Sequence, residues 1–244
     1  MELGFRWELG KQVRRRAPRH TNCQSQGWTT PCRGLDMVPD RKVEQMSVIS
    51  RGFGGRREHI ERSLPPGQYL TDDFPVLTAG PTPIIDTDDW RLDITDLDGT
   101  RSSLSWKQLM GLPDEEFTVD IHCVTQWSKH DTIWRGVSVD TLLGPLETEA
   151  EYALIRCYGD YSTNLPLEDL LDGKAWVAFE YDGGELAPEH GGPARLLVPH
   201  LYFWKSAKWI NAIELRLDDQ PGFWESLGYH EYGDPWLEQR YIGD

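Results

Sequence analysis

Cys123 ends an alternating apolar run and is followed at once by Trp127, Lys129, His130, Trp134 and Arg135. Four chemistries suit a cysteine so placed. It can fill core space, since cysteine is commonly buried and inert. It can act as a nucleophile, which needs a nearby base, but the adjacent His122 points to the opposite face of an alternating strand. It can bind zinc, but no second Cys or His stands a few residues along on the same face. It can also be the one soft thiolate on a heavier transition metal, if a cofactor supplies the other ligands. That last chemistry requires a cofactor pocket.

Two later stretches offer groups for one. The run PEHGGPARLLVPHLYFWKSAKW (188–209) concentrates His190, Arg195, His200, Lys205 and Lys208 among glycines and aromatics. Gly191 and Gly192 allow close approach of backbone to a ligand. The planar fork of Arg195 suits a phosphate, and Lys208 offers a point charge. Within RCYGDYSTNLPL, Ser162, Thr163 and Asn164 add hydrogen-bonding groups on an expected turn. Singly, each cation reads as a solvated surface charge; together, in an acidic body, they point to a bound anionic group.

The elements that must position these groups lie on a chain of uneven charge. Its 244 residues, 39% hydrophobic, suffice for one large domain or two small ones. The net charge of −15 argues against nucleic acid as a partner. Residues 1–62 hold thirteen Lys/Arg and seven Asp/Glu, a net of +6, and the rest hold twelve and thirty-three, a net of −21, which together give −15. The head has no sustained helical or strand period. Arg14-Arg15-Arg16 is not followed by the apolar stretch that an export signal needs. The expectation is a basic leader over 1–62, or an overextended reading frame with Met46 as the start, on a cytoplasmic protein. No apolar run is long enough for a membrane span. Cys23 and Cys32 read as incidental thiols, and Cys123 and Cys157 as reduced ones.

From 63 to 244 the pattern predicts one domain. Strands are expected at 90–96, 117–123 and 151–159, in a hairpin within KAWVAFEYDGGELAP, and within ARLLVPHLY and AKWINAIELRLDD, the last with Ile213, Leu215 and Leu217 on one side. Short helices are expected in SLSWKQLMGL, PLEDLLDG and SVDTLLG, while VTQWSKHDTIWRG reads as a loop. The fold class is therefore α+β, a mixed, mainly antiparallel sheet with short helices.

Taken in order, HCVTQWS…WRGVSVDTLL, GDYSTNLPLEDLL and EYDGGELAPEHGGPARLLVPHLYFWKSAKW resemble the molybdopterin-binding domain of the sulfite oxidase family. The chain is most similar to the compact bacterial members, which include the catalytic subunit of the periplasmic methionine-sulfoxide reductase. The resemblance implies that Cys123 is the sole protein thiolate on molybdenum and that His190 and Arg195 contact the pterin and its phosphate. It implies that Lys205, Ser206, Ala207 and Lys208 wrap the same group with backbone N–H and ammonium. Cys157 stands where some members have a threonine, and Gln68-Tyr69 loosely matches an N-terminal pterin contact. The segment 218–241 resembles the strap that closes short relatives.

The resemblance further implies an oxidoreductase with one molybdenum–molybdopterin per chain and no haem, a monomer that transfers an oxygen atom to or from a small sulfur compound. Its electron-transfer partner is unassigned. Lys129 and His130, close after Cys123, are expected at the catalytic entrance. Lys129, His130, Arg135, His200 and Lys205 would receive sulfite; Trp127, Trp134, Tyr202 and Trp204 would receive a sulfoxide. The recurrence of cations in an acidic body favours sulfite or a related oxyanion. The competing class is a protein that carries the cofactor without turnover, and a thiol hydrolase is the third.

Overall fold

A computed structural model describes residues 63–244. The expectations for the leader, for Cys23 and Cys32 and for Met46 as a start lie outside the described residues. In chain order the strands are β1 (Tyr69–Leu70), β2 (Arg91–Thr95), β3 (Arg101–Ser105), β4 (Glu115–His122), β5 (Trp127–Ser138), β6 (Tyr152–Cys157), β7 (Ser162–Pro166), β8 (Trp176–Tyr181), β9 (Gly184–Glu185), β10 (Arg195–Leu197) and β11 (Ile210–Arg216). Two short helices join them, α1 (Trp106–Leu109) and α2 (Val139–Leu143).

The strands form two sheets. One runs β1-β5-β8-β10, with β4 added to β5 and β9 to β8; the other runs β3-β2-β11-β6-β7. Only the β1–β5 and β2–β11 ladders are parallel. The larger core cluster joins Leu92, Ile94, Ile155 and Ile213 of the second sheet to Val137, Val177 and Leu196 of the first. Alternation then sends the next residues of the first sheet to its other face. There Trp134, Ala178 and Leu197 join Ile121, Cys123 and Trp127 in a second cluster. The centre of the first sheet is thus buried on both faces, and the second face carries the thiol.

Four local expectations are corrected. VTQWSKHDTIWRG is not a loop: most of it is β5, twelve residues long and the central partner of β1, β4 and β8. A bulge between Val119 and Ile121, with Asp131 at φ 52°, breaks the alternation that would have marked it. Residues 162–164 are not a turn but open β7, paired to β6, and PLEDLLDG keeps only a 3-10 turn at Leu167–Asp169. Leu217 lies beyond the end of β11 and is exposed. The expected single turn at α2 forms, with Ser138 Oγ accepting the Asp140 N–H at 3.1 Å. At α1, Gln108 Oε1 accepts from the Ser105 N–H at 2.8 Å and from its Oγ at 2.7 Å.

Candidate functional site

Residues 123–126 turn the chain from β4 into β5. The Cys123 N–H donates to Trp127 O at 2.8 Å and the Gln126 N–H to Cys123 O at 3.0 Å, with Gln126 left-handed at φ 76°. Distant segments clamp this turn. Gln68 Nε2 donates to Cys123 O at 3.1 Å, and Arg240 Nη1 donates to Val124 O at 2.5 Å. Thr125 Oγ1 donates to Cys123 Sγ at 3.2 Å. Burial pushes the Cys123 thiol up, while the Thr125 hydrogen bonds, Arg240 and Lys208 pull against it. His122 turns away and its Nδ1 pairs with Ser128 Oγ at 2.8 Å, so it gives the thiol no base. Among the described residues no three His, Cys, Asp or Glu side chains come together as a metal-binding set, which disfavours a zinc site.

Cys123 opens onto a cavity of about 600 Å³. His190, Arg195, Ser206, Ala207 and Lys208 line the same cavity. Arg195 is buried, with Nη1 donating to His190 O at 2.8 Å and Nη2 to Ser206 O at 2.5 Å. Its guanidinium lies 4.1 Å from the Phe203 ring centroid and forms no ion pair among the described residues. Burial pulls its pKa down to about 9, so it stays charged at neutral pH. A buried cation without a counter-ion is costly, and an anion in the cavity would relieve it.

Lys208 completes the positive wall. Its Nζ donates to Leu77 O and Glu189 O, each at 2.7 Å, and burial, then Arg195, bring its pKa down to about 8. The His190 ring stacks on Phe74 at 3.9 Å, and burial, then Arg195 and Lys208, lower its pKa. Gly191, at φ 110°, allows this crowding: a Cβ there would lie 3.0 Å from Arg195 Cβ and 3.1 Å from Lys208 Cα. Trp127, also in the wall, has a buried indole N–H with no partner. One thiol and two cations, Arg195 without an ion pair among the described residues, around one cavity fit a phosphate-bearing metal cofactor.

Other expected site residues lie elsewhere. Lys205 does not face the cavity; its buried ammonium is 2.7 Å from Glu225 Oε1. The N–H groups of Lys205, Ser206 and Ala207 donate to Tyr202 O, Phe203 O and Lys205 O, so the expected cradle of N–H groups at these positions is replaced by internal bonds. Ser206 and Ala207 remain as wall. Cys157 sits in the core between the sheets, where burial raises its pKa far above the ordinary thiol value. Gln68 supports the Cys123 turn from behind, and the exposed Tyr69 meets it only through its N–H, which donates to Gln126 O at 2.8 Å.

Lys129 and His130 do not line the cavity either. Lys129 donates to Asp72 O, and His130 lies 4.0 Å from Asp120. Arg135 pairs with Asp114 and His200 with Asp169. Of the aromatics, Trp127 and Trp204 line the cavity, while Trp134 and Tyr202 are buried beside it. Sequence reasoning missed the wall formed by Phe74, Pro75, Leu77, Thr78 and Pro81, and that formed by Tyr158, Asp160 and Tyr161. It read the C-terminal segment only as a strap, yet Phe223, Trp224 and Tyr229 of that segment are wall.

Comparison with known proteins bears on this cavity. Residues 79–224 match the family described as oxidoreductase molybdopterin binding domain. An uncharacterized oxidoreductase, YuiH, of Bacillus subtilis is 40% identical over 79% of this chain and 99% of its own length. A putative protein-methionine-sulfoxide reductase subunit, YedZ1, of Azospira oryzae is 27% identical over 61% of this chain and 57% of its own. Human mitochondrial sulfite oxidase is 26% identical over 68% of this chain, which spans only 37% of that longer protein. The crystal structure of the sulfane dehydrogenase SoxCD from Paracoccus pantotrophus superposes with a TM-score of 0.52 at 19% identity, covering 75% of this chain and 60% of that one, a likeness of fold.

Proposed function

We propose, on the premise that this chain belongs to the sulfite oxidase type of molybdopterin-binding oxidoreductases, that its cavity holds one molybdenum–molybdopterin with the Cys123 thiolate on the metal. The single observation that carries this reading is the buried Arg195, without an ion pair among the described residues, lining the same cavity as the Cys123 thiol. Arg195 and Lys208 would take the phosphate, with His190 and the Trp127 N–H toward the pterin. When bound, the cofactor supplies the two-electron and oxygen-atom chemistry. The protein excludes water with aromatic walls, orients the cofactor through its phosphate, and fixes the thiolate through the clamped turn.

The reaction we assign is oxygen-atom transfer on a small sulfur compound. The five cations expected to receive sulfite are occupied with carbonyls and carboxylates outside the cavity. The faces left free near the thiol are aromatic, including Trp127, Trp204, Trp224 and Tyr229. That distribution favours an uncharged sulfoxide over sulfite, the reverse of what cation counting suggests. The relatives include both a putative protein-methionine-sulfoxide reductase subunit and sulfite oxidases, so the choice rests on the cavity wall. Reduction of a sulfoxide consumes two electrons and two protons and yields a thioether and water, so an electron donor is required.

The test is one preparation, made in a host that builds the cofactor, analysed for molybdenum and pterin and then assayed in both directions. Methionine sulfoxide with reduced viologen should turn over, and sulfite with an artificial acceptor should be slow or silent. Sulfite turnover without sulfoxide turnover overturns the substrate choice. A loaded protein silent in both directions favours the reading of a cofactor carrier.

A further inference from the structure

Thr125 stands out in the turn that holds the thiol. Its hydroxyl donates to Cys123 Sγ at 3.2 Å, and its side chain lies in the cavity wall. The contact is held rather than incidental. Cys123 O on one side of Thr125 is fixed by Gln68 and Val124 O by Arg240, while Gln126 on the other side is locked at φ 76°. The hydroxyl is therefore pre-aimed at the sulfur assigned to the metal.

We infer that Thr125 is a positioning residue that sets the electron-donating strength of the Cys123 sulfur, and through it the reduction potential of the bound metal. This rests on Cys123 being the thiolate ligand. A hydrogen bond to a thiolate draws density from sulfur and weakens its donation to the metal. The electron-rich reduced state gains by it, so the potential rises. Outer hydrogen bonds to sulfur tune potential in this way in other thiolate-bound metal centres. Valine has nearly the shape of threonine and no hydroxyl, whereas serine keeps the hydroxyl. The contrast between them isolates the bond from the packing.

The experiment is a redox titration, followed by absorption, of cofactor-loaded wild type, Thr125→Val, Thr125→Ser and Cys123→Ser, each with its pterin content measured; Thr125→Ala substitutes if the valine variant loads poorly. Thr125→Val should raise the ratio of oxidised to reduced metal about tenfold at a fixed potential, which is a midpoint ~30 mV more negative for a two-electron couple. Its sulfur-to-metal absorption should shift as well, and Thr125→Ser should stay with wild type. Titration of Thr125→Val with wild type, or a serine variant shifted as far as the valine one, overturns the inference. The control separates the two levels. An altered Cys123→Ser spectrum beside an unaltered Thr125→Val spectrum removes the role of Thr125 alone. An unaltered Cys123→Ser spectrum removes the ligand assignment, and with it the inference.

Discussion

The ammonium of Lys205 lies 2.7 Å from Glu225 Oε1, and neither side chain has any exposed surface. The same oxygen accepts from Thr163 Oγ1 at 2.8 Å and from Trp204 Nε1 at 2.9 Å, while Lys205 also donates to Asn164 O at 2.9 Å and Asn164 Oδ1 at 3.0 Å. This pair ties β7 and the C-terminal segment to Trp204, a cavity wall. A buried pair adds little over a well-packed apolar pair, but removing one partner strands the other charge. Lys205→Met should therefore cost about 3–5 kcal/mol in denaturant unfolding. Lys129→Met, whose amine caps one exposed carbonyl, should cost about 1 kcal/mol or less. Equal losses from the two would contradict this account of the pair.

Arg195 should be irreplaceable even by lysine. The fork bonds two carbonyls of its own wall and still carries its charge to the cavity, which a single ammonium cannot do. Truncating a buried charged contact costs about 2–5 kcal/mol. Arg195→Lys should thus purify with a small fraction of the wild-type pterin and molybdenum, read by metal analysis and pterin fluorescence. Wild-type content in that variant would remove Arg195 from the phosphate site.

Lys208 makes the cofactor-free protein depend on pH. Its folded pKa is lowered from the ordinary 10.5 to about 8, by burial first, then Arg195, against opposing pulls from Glu189 and Cys123. The unfolded chain then holds more protons than the folded one between those values, so stability rises as pH rises through that window. Below about pH 8 lysine is charged in both states and the penalty is fully present. Thermal melts of the cofactor-free protein should show wild type gaining stability relative to Lys208→Met between roughly pH 8 and 10, a comparison that cancels the shifted Arg195, Cys123 and Cys157 common to both. A difference between wild type and Lys208→Met that falls through this window would contradict the burial argument.

Gly191 is a backbone test of the same wall. A side chain at φ 110° is strained, and the new Cβ would press on Arg195 Cβ and Lys208 Cα. Gly191→Ala should cost about 1–3 kcal/mol of stability and displace both cations. Cofactor content, compared with that of Gly183→Ala on the open β8–β9 turn, separates site damage from turn strain: only the first variant should lose cofactor.

The legibility of each feature in the sequence depends on how local its signal is. The face that Ile121 shares with Cys123, the β8–β9 hairpin and the single turn of α2 rest on neighbours within a few residues, and all were readable. Arg195 and Lys208 stand out because cations are sparse in a body of net charge −21. The remainder depends on distant partners. Lys205 carries the same charge as Lys208, and only Glu225 and Asn164, brought beside it by the fold, decide that it turns inward. Lys129 and His130 come soon after Cys123 in sequence, but β5 carries them to Asp72 and Asp120, away from the cavity. Strand β5 was hidden because a bulge and a left-handed Asp131 disrupt its period. The wall residues Phe74 and Tyr229 have no local pattern; the cavity alone brings them together.

The most direct test of the central claim is X-ray absorption at the molybdenum edge, on wild type and Cys123→Ser loaded to equal pterin content. With Cys123 as the only protein thiolate on the metal, the serine variant should lose one sulfur neighbour from the metal's coordination shell and gain a lighter atom, while Arg195 and Lys208 keep the pterin in place. An unchanged sulfur count in Cys123→Ser would contradict the assignment of this cavity as a thiolate-held molybdenum site.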